Sequence, residues 1–311
     1  MTSFVIAFSV VGPIVILIAT GCVIRILNLL TADVFRQMNK LVFYVLLPCL
    51  IFSNINSTSI ETAVNFRLAL YGVAGIFATF LIGIFVARAS TKDPRKRGAV
   101  LQSLFRSNFI LYGLLIVQSL YGDQTAVTTL LIAFAIPLFN VLAVIGLEMF
   151  RGGTVNITSI LINMVKNPLI ITTAVAILFN LSSLTLPDVV LRPVTDLARS
   201  ATPIALIVLG GIFEWKSIRN NRNLLVMTTI LKLVVWPVVF LSIAVVIGFR
   251  NVELLSLAAL FGSPSAVSSL SMAQQMNSDS EFTSQNILLT TVLSIFTVFI
   301  MIAVLSHFSL I

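Results

Sequence analysis

Ten apolar segments, each close to the length that crosses a bilayer, constrain this chain more than any other feature of its sequence. A membrane helix needs about 20 mainly apolar residues, and the segments cover 4–24, 38–54, 68–87, 98–121, 125–146, 167–184, 198–213, 224–247, 254–276 and 286–305. Only 10% of the residues are charged, against about a quarter in soluble domains. The sequence therefore predicts an all-α integral membrane protein with ten transmembrane helices and no sizeable soluble domain.

The distribution of positive charge predicts the orientation of the chain. The net charge is +8, and thirteen of the nineteen Lys and Arg residues lie in alternate loops. They are Arg25, Arg36, Lys40, Arg88, Lys92, Arg95, Lys96, Arg97, Arg151, Lys166, Lys216, Arg219 and Arg222. Because cytoplasmic loops are rich in Lys and Arg, we expect a multi-pass protein of the plasma (inner) membrane with both termini outside. Basic residues divided among loops in this way do not indicate a nucleic-acid partner.

The two halves of the chain repeat one another. At an offset of 155 residues the prolines and charged residues stay in step, as Pro13 with Pro168, Asp33 with Asp188, Pro48 with Pro203 and Arg67 with Arg222. One added residue then places Leu104, Phe105 and Ser107 on Leu260, Phe261 and Ser263, and Gln118 on Gln274. Each unit holds five spans, so the second enters the membrane from the opposite side. Residues 1–150 and 151–311 are therefore predicted to be inverted repeats, as in many secondary transporters.

Polar residues interrupt the fourth and ninth segments at matching positions. The fourth contains "LFRSNFILYG" with Arg106, Ser107 and Asn108, and the ninth contains "LFGSPSAVSS" with Pro264 aligned to Asn108. An isolated arginine near the bilayer centre costs at least ~2.5 kcal/mol on insertion scales, and proline removes a helix hydrogen bond. Breaks at this depth are tolerated only inside protein or beside a wet cavity. Two half-helix N-termini, each worth about +0.5 charge, would meet there and attract an anion.

The order of three motifs resembles the auxin efflux carrier family, which includes PIN-type transporters and bacterial malate and malonate permeases. These motifs are "LVFYVLLPCLIF", "FRSNFILYGLLIVQSLYG" and "GSPSAVSSLSMAQQMN". The resemblance implies a scaffold from spans 1, 2, 6 and 7, and a transport domain from spans 3, 4, 5, 8, 9 and 10 in which the broken helices 4 and 9 cross. It places the family's crossover asparagine on Asn108 and its ninth-helix proline on Pro264. One departure is Leu115, where many members have proline after Gly-Leu.

The expected function is secondary transport of small organic anions by alternating access. Malate or malonate is suggested by analogy alone, and auxin-like acids remain open. The candidate substrate-binding residues are Asn108, Ser107, Arg106, Tyr112, Asn140, Ser53, Asn54, Ser263, Pro264, Ser265 and Ser268. Pro48, Pro203 and Pro264 are expected to break helices. The expected partners are the anion and the lipid bilayer; a homodimer is compatible with this organisation, and no cofactor or metal is expected.

Four polar residues within the predicted spans have two interpretations each. Asn108 either binds the anion or only caps the broken helix. Arg106 either adds positive potential to the anion path or extends along the helix so that its head reaches water. Asn140 either lines the cavity or makes an interhelical hydrogen bond. Lys232, within the eighth segment, either participates in charge coupling or neutralises the carbonyl groups at a helix C-terminus.

Other classes of function are disfavoured by what the spans lack. None of the eleven Asp and Glu residues lies near the middle of a predicted span, whereas a cation/proton antiporter of similar fold needs a carboxylate there. The single histidine, His307, is four residues from the C-terminus, so an intramembrane enzyme with a zinc pair or a Ser-His dyad is not expected. A channel agrees less well with inverted broken helices than a carrier does. The protein is therefore predicted not to be an enzyme.

Overall fold

The computed structural model describes residues 2–56, 66–122, 124–151, 157–182, 186–213 and 218–311, whose regular structure is entirely helical. The helices are α1 (Thr2–Ile26), α2 (Ala32–Leu41), α3 (Leu47–Asn56), α4 (Phe66–Ser90), α5 (Pro94–Phe105), α6 (Phe109–Tyr121), α7 (Ala126–Phe150), α8 (Ile157–Lys166), α9 (Pro168–Leu181), α10 (Asp188–Ile212), α11 (Ile218–Ile230), α12 (Trp236–Ile247), α13 (Asn251–Gly262), α14 (Ser268–Gln275) and α15 (Ser280–His307). The all-α membrane class predicted from composition agrees with this structure.

Every predicted segment overlaps one or more of these helices. Within the described residues, eight helical stretches are long and apolar enough to cross a membrane, and the shorter apolar helices α9 and α13 fall in the sixth and ninth segments. The largest difference is at α10, which begins at Asp188, ten residues before the predicted start of the seventh segment. Its first turns alternate apolar with polar and charged residues, so a search for uninterrupted apolar stretches does not include them.

Proline widens two helices instead of ending them. A π-helical turn at Val42–Leu46 joins α2 to α3, and Pro48 is the second residue after it. A second π-turn, Leu231–Val235, joins α11 to α12 and is followed in the same way by Pro237. Proline lacks the N–H that an α-helical turn would use and its ring crowds the preceding carbonyl, and a wider turn relieves both problems. The predicted break at Pro48 is therefore wrong, and so is that at Pro203, because α10 continues through it.

The fourth and ninth segments are interrupted, and their breaks meet at a point that we call the crossing. Helix α5 ends at Phe105 and α6 begins at Phe109, while α13 ends at Gly262 and α14 begins at Ser268. Helix α6 packs against α13, and α14 packs against α5. The halves that follow the two breaks therefore lie on opposite sides of the crossing.

Helices α1 and α10 make a close contact through glycine. A Cβ atom added at Gly21 would lie 2.0 Å from the carbonyl oxygen of Ile207, and one added at Gly210 would lie 2.0 Å from that of Ile18. Only glycine allows two helix backbones to approach this closely. Helix α10 also packs on α3, which packs on α9, so helices of the first, second, sixth and seventh segments form one contacting group.

Candidate functional site

A cavity of about 430 Å³ lies beside the helix crossing. One wall comes from α1, α3 and α10, and the other from the residues that flank the two breaks together with α7. Most of the lining is aliphatic, and its polar members are Asn54, Arg106, Ser107, Asn108, Asn140, Arg199, Thr202 and Ser268. Among the described residues no Asp or Glu lines this cavity. The cavity is therefore an apolar chamber with polar donors concentrated at the crossing.

Arg106 is buried at the edge of the cavity, with 3% of its surface exposed. Its guanidinium donates to Ser268 Oγ at 2.8 Å, to Asn140 Oδ1 at 3.2 Å and to Gln102 Oε1 at 3.2 Å. Neither of the two ion pairs in the described part of the chain involves Arg106, and its Nε has no hydrogen-bond partner there. The guanidinium also donates to Met272 Sδ. Four neutral side chains thus hold a fixed positive charge inside the protein, which excludes the interpretation that the head of Arg106 reaches water.

Asn108, at the edge of the cavity, has a side-chain donor without a hydrogen-bond partner among the described residues. It precedes α6 with φ −78° and ψ 48°, and its side chain makes no capping hydrogen bond to that helix. Its Nδ2 is buried without a hydrogen-bond partner among the described residues, although the residue lines the cavity. A buried donor left without a partner costs ~1 to 3 kcal/mol. This geometry favours a ligand role for Asn108 over a purely capping one.

One serine of each break donates a hydrogen bond to the backbone of the other broken helix. Ser107 Oγ donates to the carbonyl oxygen of Leu260 at 2.7 Å, and Ser265 Oγ donates to that of Ser103 at 3.1 Å. Ser263 Oγ donates to the carbonyl oxygen of Ala259 within its own helix. These hydrogen bonds satisfy carbonyl groups that a helix end leaves free, as expected for breaks buried in a membrane protein.

Lys232 lies behind the breaks instead of in the cavity. It is 2% exposed, its Nζ donates to Ser107 Oγ, and it lines a void of about 10 Å³ together with Phe105 and Phe261 from the last turns of α5 and α13. Each helix C-terminus carries about −0.5 charge. The ammonium group therefore faces two negative helix ends, which agrees with the neutralising interpretation of Lys232.

Five predicted binding residues do not line the cavity: Tyr112, Ser53, Ser263, Pro264 and Ser265. The hydroxyl groups of Tyr112 and Ser294 are 2.8 Å apart and hydrogen-bonded to each other, deep in the core. By contrast Asn54, Arg106, Ser107, Asn108, Asn140 and Ser268 all line it. Asn140 fits both of its interpretations, because it lines the cavity and also holds Arg106.

Two polar lining residues, Arg199 and Thr202, were missed by the sequence reasoning. The predicted seventh segment begins at residue 198 and so places Arg199 at the membrane surface, although this residue lies near the middle of α10. The amphipathic pattern from Asp188 onward is the signal that would have located it.

A polar contact joins α2 to α14 on the other side of the crossing. Asn39 Nδ2 donates to Gln274 Oε1 at 2.5 Å, and Ser271 Oγ donates to Asn39 Oδ1 at 2.6 Å. We call these three residues the Asn39 clamp. Asn39 precedes the π-turn of its segment, whereas the cavity-lining Asn54 follows it. The cavity and the clamp thus lie on different sides of the crossing.

Comparison with known proteins agrees with a transport architecture. A family model described as a membrane transport protein matches residues 6–302. An uncharacterised transporter of Methanocaldococcus jannaschii is 23% identical over 307 residues, covering 94% of this chain and 97% of that protein. The family match spans nearly the whole chain and confirms the resemblance to auxin efflux carriers. The chain therefore belongs to the membrane transport protein family.

Proposed function

We propose that this membrane transport protein is a secondary transporter of small organic anions, and that it works by alternating access. The observation that carries the proposal is the arrangement of Arg106 and Asn108. A buried guanidinium and an unpartnered amide donor line the same cavity of about 430 Å³ at the helix crossing. The substrates that fit are carboxylates, of which malate, malonate and auxin-like acids are examples.

The electrostatics of the crossing favour a carboxylate head group. Helices α6 and α14 both begin at the cavity, so their N-terminal ends add positive potential to that of Arg106. Asn108 Nδ2 and Arg106 Nε have no hydrogen-bond partner among the described residues, and a hydrogen bond to a charged group is worth ~1.5 to 3 kcal/mol. Since Gln102, Asn140 and Ser268 already hold Arg106, little ordering cost falls on binding.

The apolar walls favour an organic anion over an inorganic one. Leu17 of α1 and Leu50 and Ile51 of α3 line the same cavity as the residues at the crossing. A hydrocarbon portion of the substrate gains about 25 cal/mol for each Å² that it buries there. A hydrated inorganic ion gains nothing from these side chains. The substrate class is therefore an organic acid whose carboxylate is bound at the crossing and whose carbon atoms contact the apolar walls.

The proposed architecture has ten spans in two inverted repeats, residues 1–150 and 151–311. Spans 1, 2, 6 and 7 form the scaffold, and the other six form the transport domain. The contacts of α6 with α13 and of α14 with α5 support this symmetry, and so does the exchange of serine hydrogen bonds between the breaks. With both termini outside the plasma membrane, the cavity opens outward and the Asn39 clamp closes the cytoplasmic side.

Cation/proton antiport is the alternative, and the described acids argue against it. Only Glu148 is buried among them, and it lies in the last turn of α7, where it pairs with Arg151 at 2.8 Å. An antiporter needs a carboxylate at mid-membrane that exchanges protons and cations. Membership of a transporter family also favours transport over catalysis.

A binding screen tests the proposed function directly. The purified protein is heated with a panel of mono- and dicarboxylates and with uncharged amides of the same acids as matched controls. A ligand at one hundred times its Kd adds about 2.7 kcal/mol to the apparent stability. We expect one or more carboxylates, and none of the amides, to raise the unfolding temperature and to be taken up by proteoliposomes. The proposal is wrong if only cations stabilise the protein.

A further inference from the structure

We propose that Arg199 is a second anion-binding residue, which captures the carboxylate at the open side of the cavity before it reaches Arg106 and Asn108. The inference rests on the proposed transport of organic anions and adds a residue from the opposite wall. It assigns to α10 a part in selecting the substrate charge.

Arg199 combines exposure at the protein surface with a place in the lining of the cavity. It is exposed in the described structure, yet it lines the same cavity as Arg106. Neither of the two ion pairs found within the described residues involves it, although Asp196 lies one turn earlier on the helix. A guanidinium without a carboxylate partner is available to an incoming anion.

Arg192 provides an internal comparison. It lies on the same helix and is also exposed, but it is not among the residues that line the cavity. The two arginines therefore share charge, helix and solvent exposure, and differ in their position relative to the cavity. An effect restricted to Arg199 cannot arise from surface charge alone.

The location of the two cavity arginines makes the expected effect one-sided. Arg199 belongs to α10, within the group of helices that includes α1 and α3, whereas Arg106 lies at the break between α5 and α6. A carboxylate that leaves water for an apolar chamber loses hydration, and a guanidinium exposed on the wall offsets part of this loss and raises the local anion concentration. When the two helix groups move and the cavity opens to the other side, Arg199 no longer lies on the entry path.

The test compares Arg199→Gln with Arg192→Gln, using uptake into whole cells for one face and into inverted membrane vesicles for the other. We expect Arg199→Gln to raise the KM for the carboxylate at least tenfold from one face only, with an unchanged unfolding temperature. Arg199→Lys should recover part of the affinity, because it restores the charge without the fork geometry. Arg192→Gln should behave like the parent on both faces.

The outcomes separate this inference from the proposed function. If the parent shows no saturable carboxylate uptake from either face, the proposed function fails. If the parent transports and Arg199→Gln matches Arg192→Gln on both faces, Arg199 has no role in binding. An equal rise in KM on both faces would place Arg199 in the central site and overturn the one-sided capture. If Arg199→Gln unfolds, Arg199→Lys is compared with the parent instead. Because lysine lacks the fork geometry of arginine, a KM equal to that of the parent on both faces would contradict the inference.

Discussion

The backbone N–H of Asn108 donates a hydrogen bond to the carbonyl oxygen of Pro264 at 2.9 Å, which joins the breaks of two helices from different halves of the chain. The donor is one that the start of α6 would otherwise leave free, and the acceptor lies beyond the end of α13. Inside a bilayer each such unsatisfied group costs several kcal/mol. The bond therefore stabilises the crossing and fixes the position from which the Asn108 side chain reaches the cavity.

Replacing Asn108 tests whether its side chain binds the anion. Asn108→Ala should leave the protein folded, because the side chain caps nothing, and should weaken carboxylate binding at least tenfold, about 1.4 kcal/mol. Asn108→Leu should bind the carboxylate more weakly still, because the leucine side chain also fills the site. Titration calorimetry on the purified variants measures both effects. Binding equal to that of the parent in both variants would show that the site lies elsewhere.

The breaks could be predicted from the sequence because their signals are local. Arg106, Asn108 and Pro264 are conspicuous within apolar stretches, and the repeat aligns the two breaks. The partners of Arg106 could not be predicted, since Ser268 comes from a distant helix. Tyr112 follows Asn108 by one helical turn and is therefore close to the break in sequence, but its position around α6 directs its hydroxyl to Ser294.

The parts of the site outside the breaks carry weaker signals. Arg199 lies in an amphipathic stretch that resembles a loop when only apolar runs are counted. The Asn39 clamp joins residues from the two halves of the chain, and no spacing rule connects them. Pro48 was predicted to break its helix, but a π-turn accommodates proline without ending the helix.

Breaking the Asn39 clamp should favour opening of the side that it closes. Asn39→Ala removes two hydrogen bonds and leaves Ser271 and Gln274 without those partners, a cost of ~1 to 3 kcal/mol to the closed side. A cysteine at the cavity position Thr202 reports this opening through its labelling rate in inverted vesicles, with both native cysteines replaced. We expect the rate to rise about tenfold.

The control for the clamp is Gln118, which corresponds to Gln274 in the other repeat. It is exposed and takes no part in the clamp, so Gln118→Ala should leave the labelling rate of the Thr202→Cys reporter unchanged. Equal rates in Asn39→Ala and Gln118→Ala would show that the clamp does not control access.

The contact between α1 and α10 should be intolerant of a single methyl group. Gly21→Ala places a Cβ 2.0 Å from the carbonyl oxygen of Ile207, so the helices must separate, and overpacking of this kind costs ~1 to 3 kcal/mol. Gly12→Ala in the same helix meets nothing closer than 3.6 Å. We expect the unfolding temperature of Gly21→Ala to fall by at least ~3 °C and that of Gly12→Ala to stay or rise. A similar change in both variants would contradict the close contact.

The orientation of the chain follows from charge alone and is tested by labelling. Asp93→Cys and Ser3→Cys variants, made after replacement of the two free cysteines Cys22 and Cys49, are treated in whole cells with a membrane-impermeant thiol reagent. Since the loop around Lys92 to Arg97 is the most basic, we expect it to be cytoplasmic and unlabelled, while Ser3→Cys is labelled. The reverse pattern would place both termini inside and exchange the two faces of the transport cycle.

The charges inside the protein predict how transport responds to gradients. Moving one charge across the membrane is worth about 2.3 kcal/mol per 100 mV, and no buried carboxylate lies at mid-span among the described residues. Uptake by proteoliposomes should therefore follow an imposed voltage and should not require sodium. A pH gradient should act only through the charge of the substrate or of Lys232. Lys232→Gln should therefore keep the voltage response and retain only the pH response that comes from protonation of the substrate.

A strict sodium requirement would falsify this prediction. It would point instead to the buried oxygens near the ninth-segment break, where Ser265 Oγ contacts Asn286 Oδ1 at 2.8 Å and Asn286 Nδ2 donates to Thr228 at 2.7 Å.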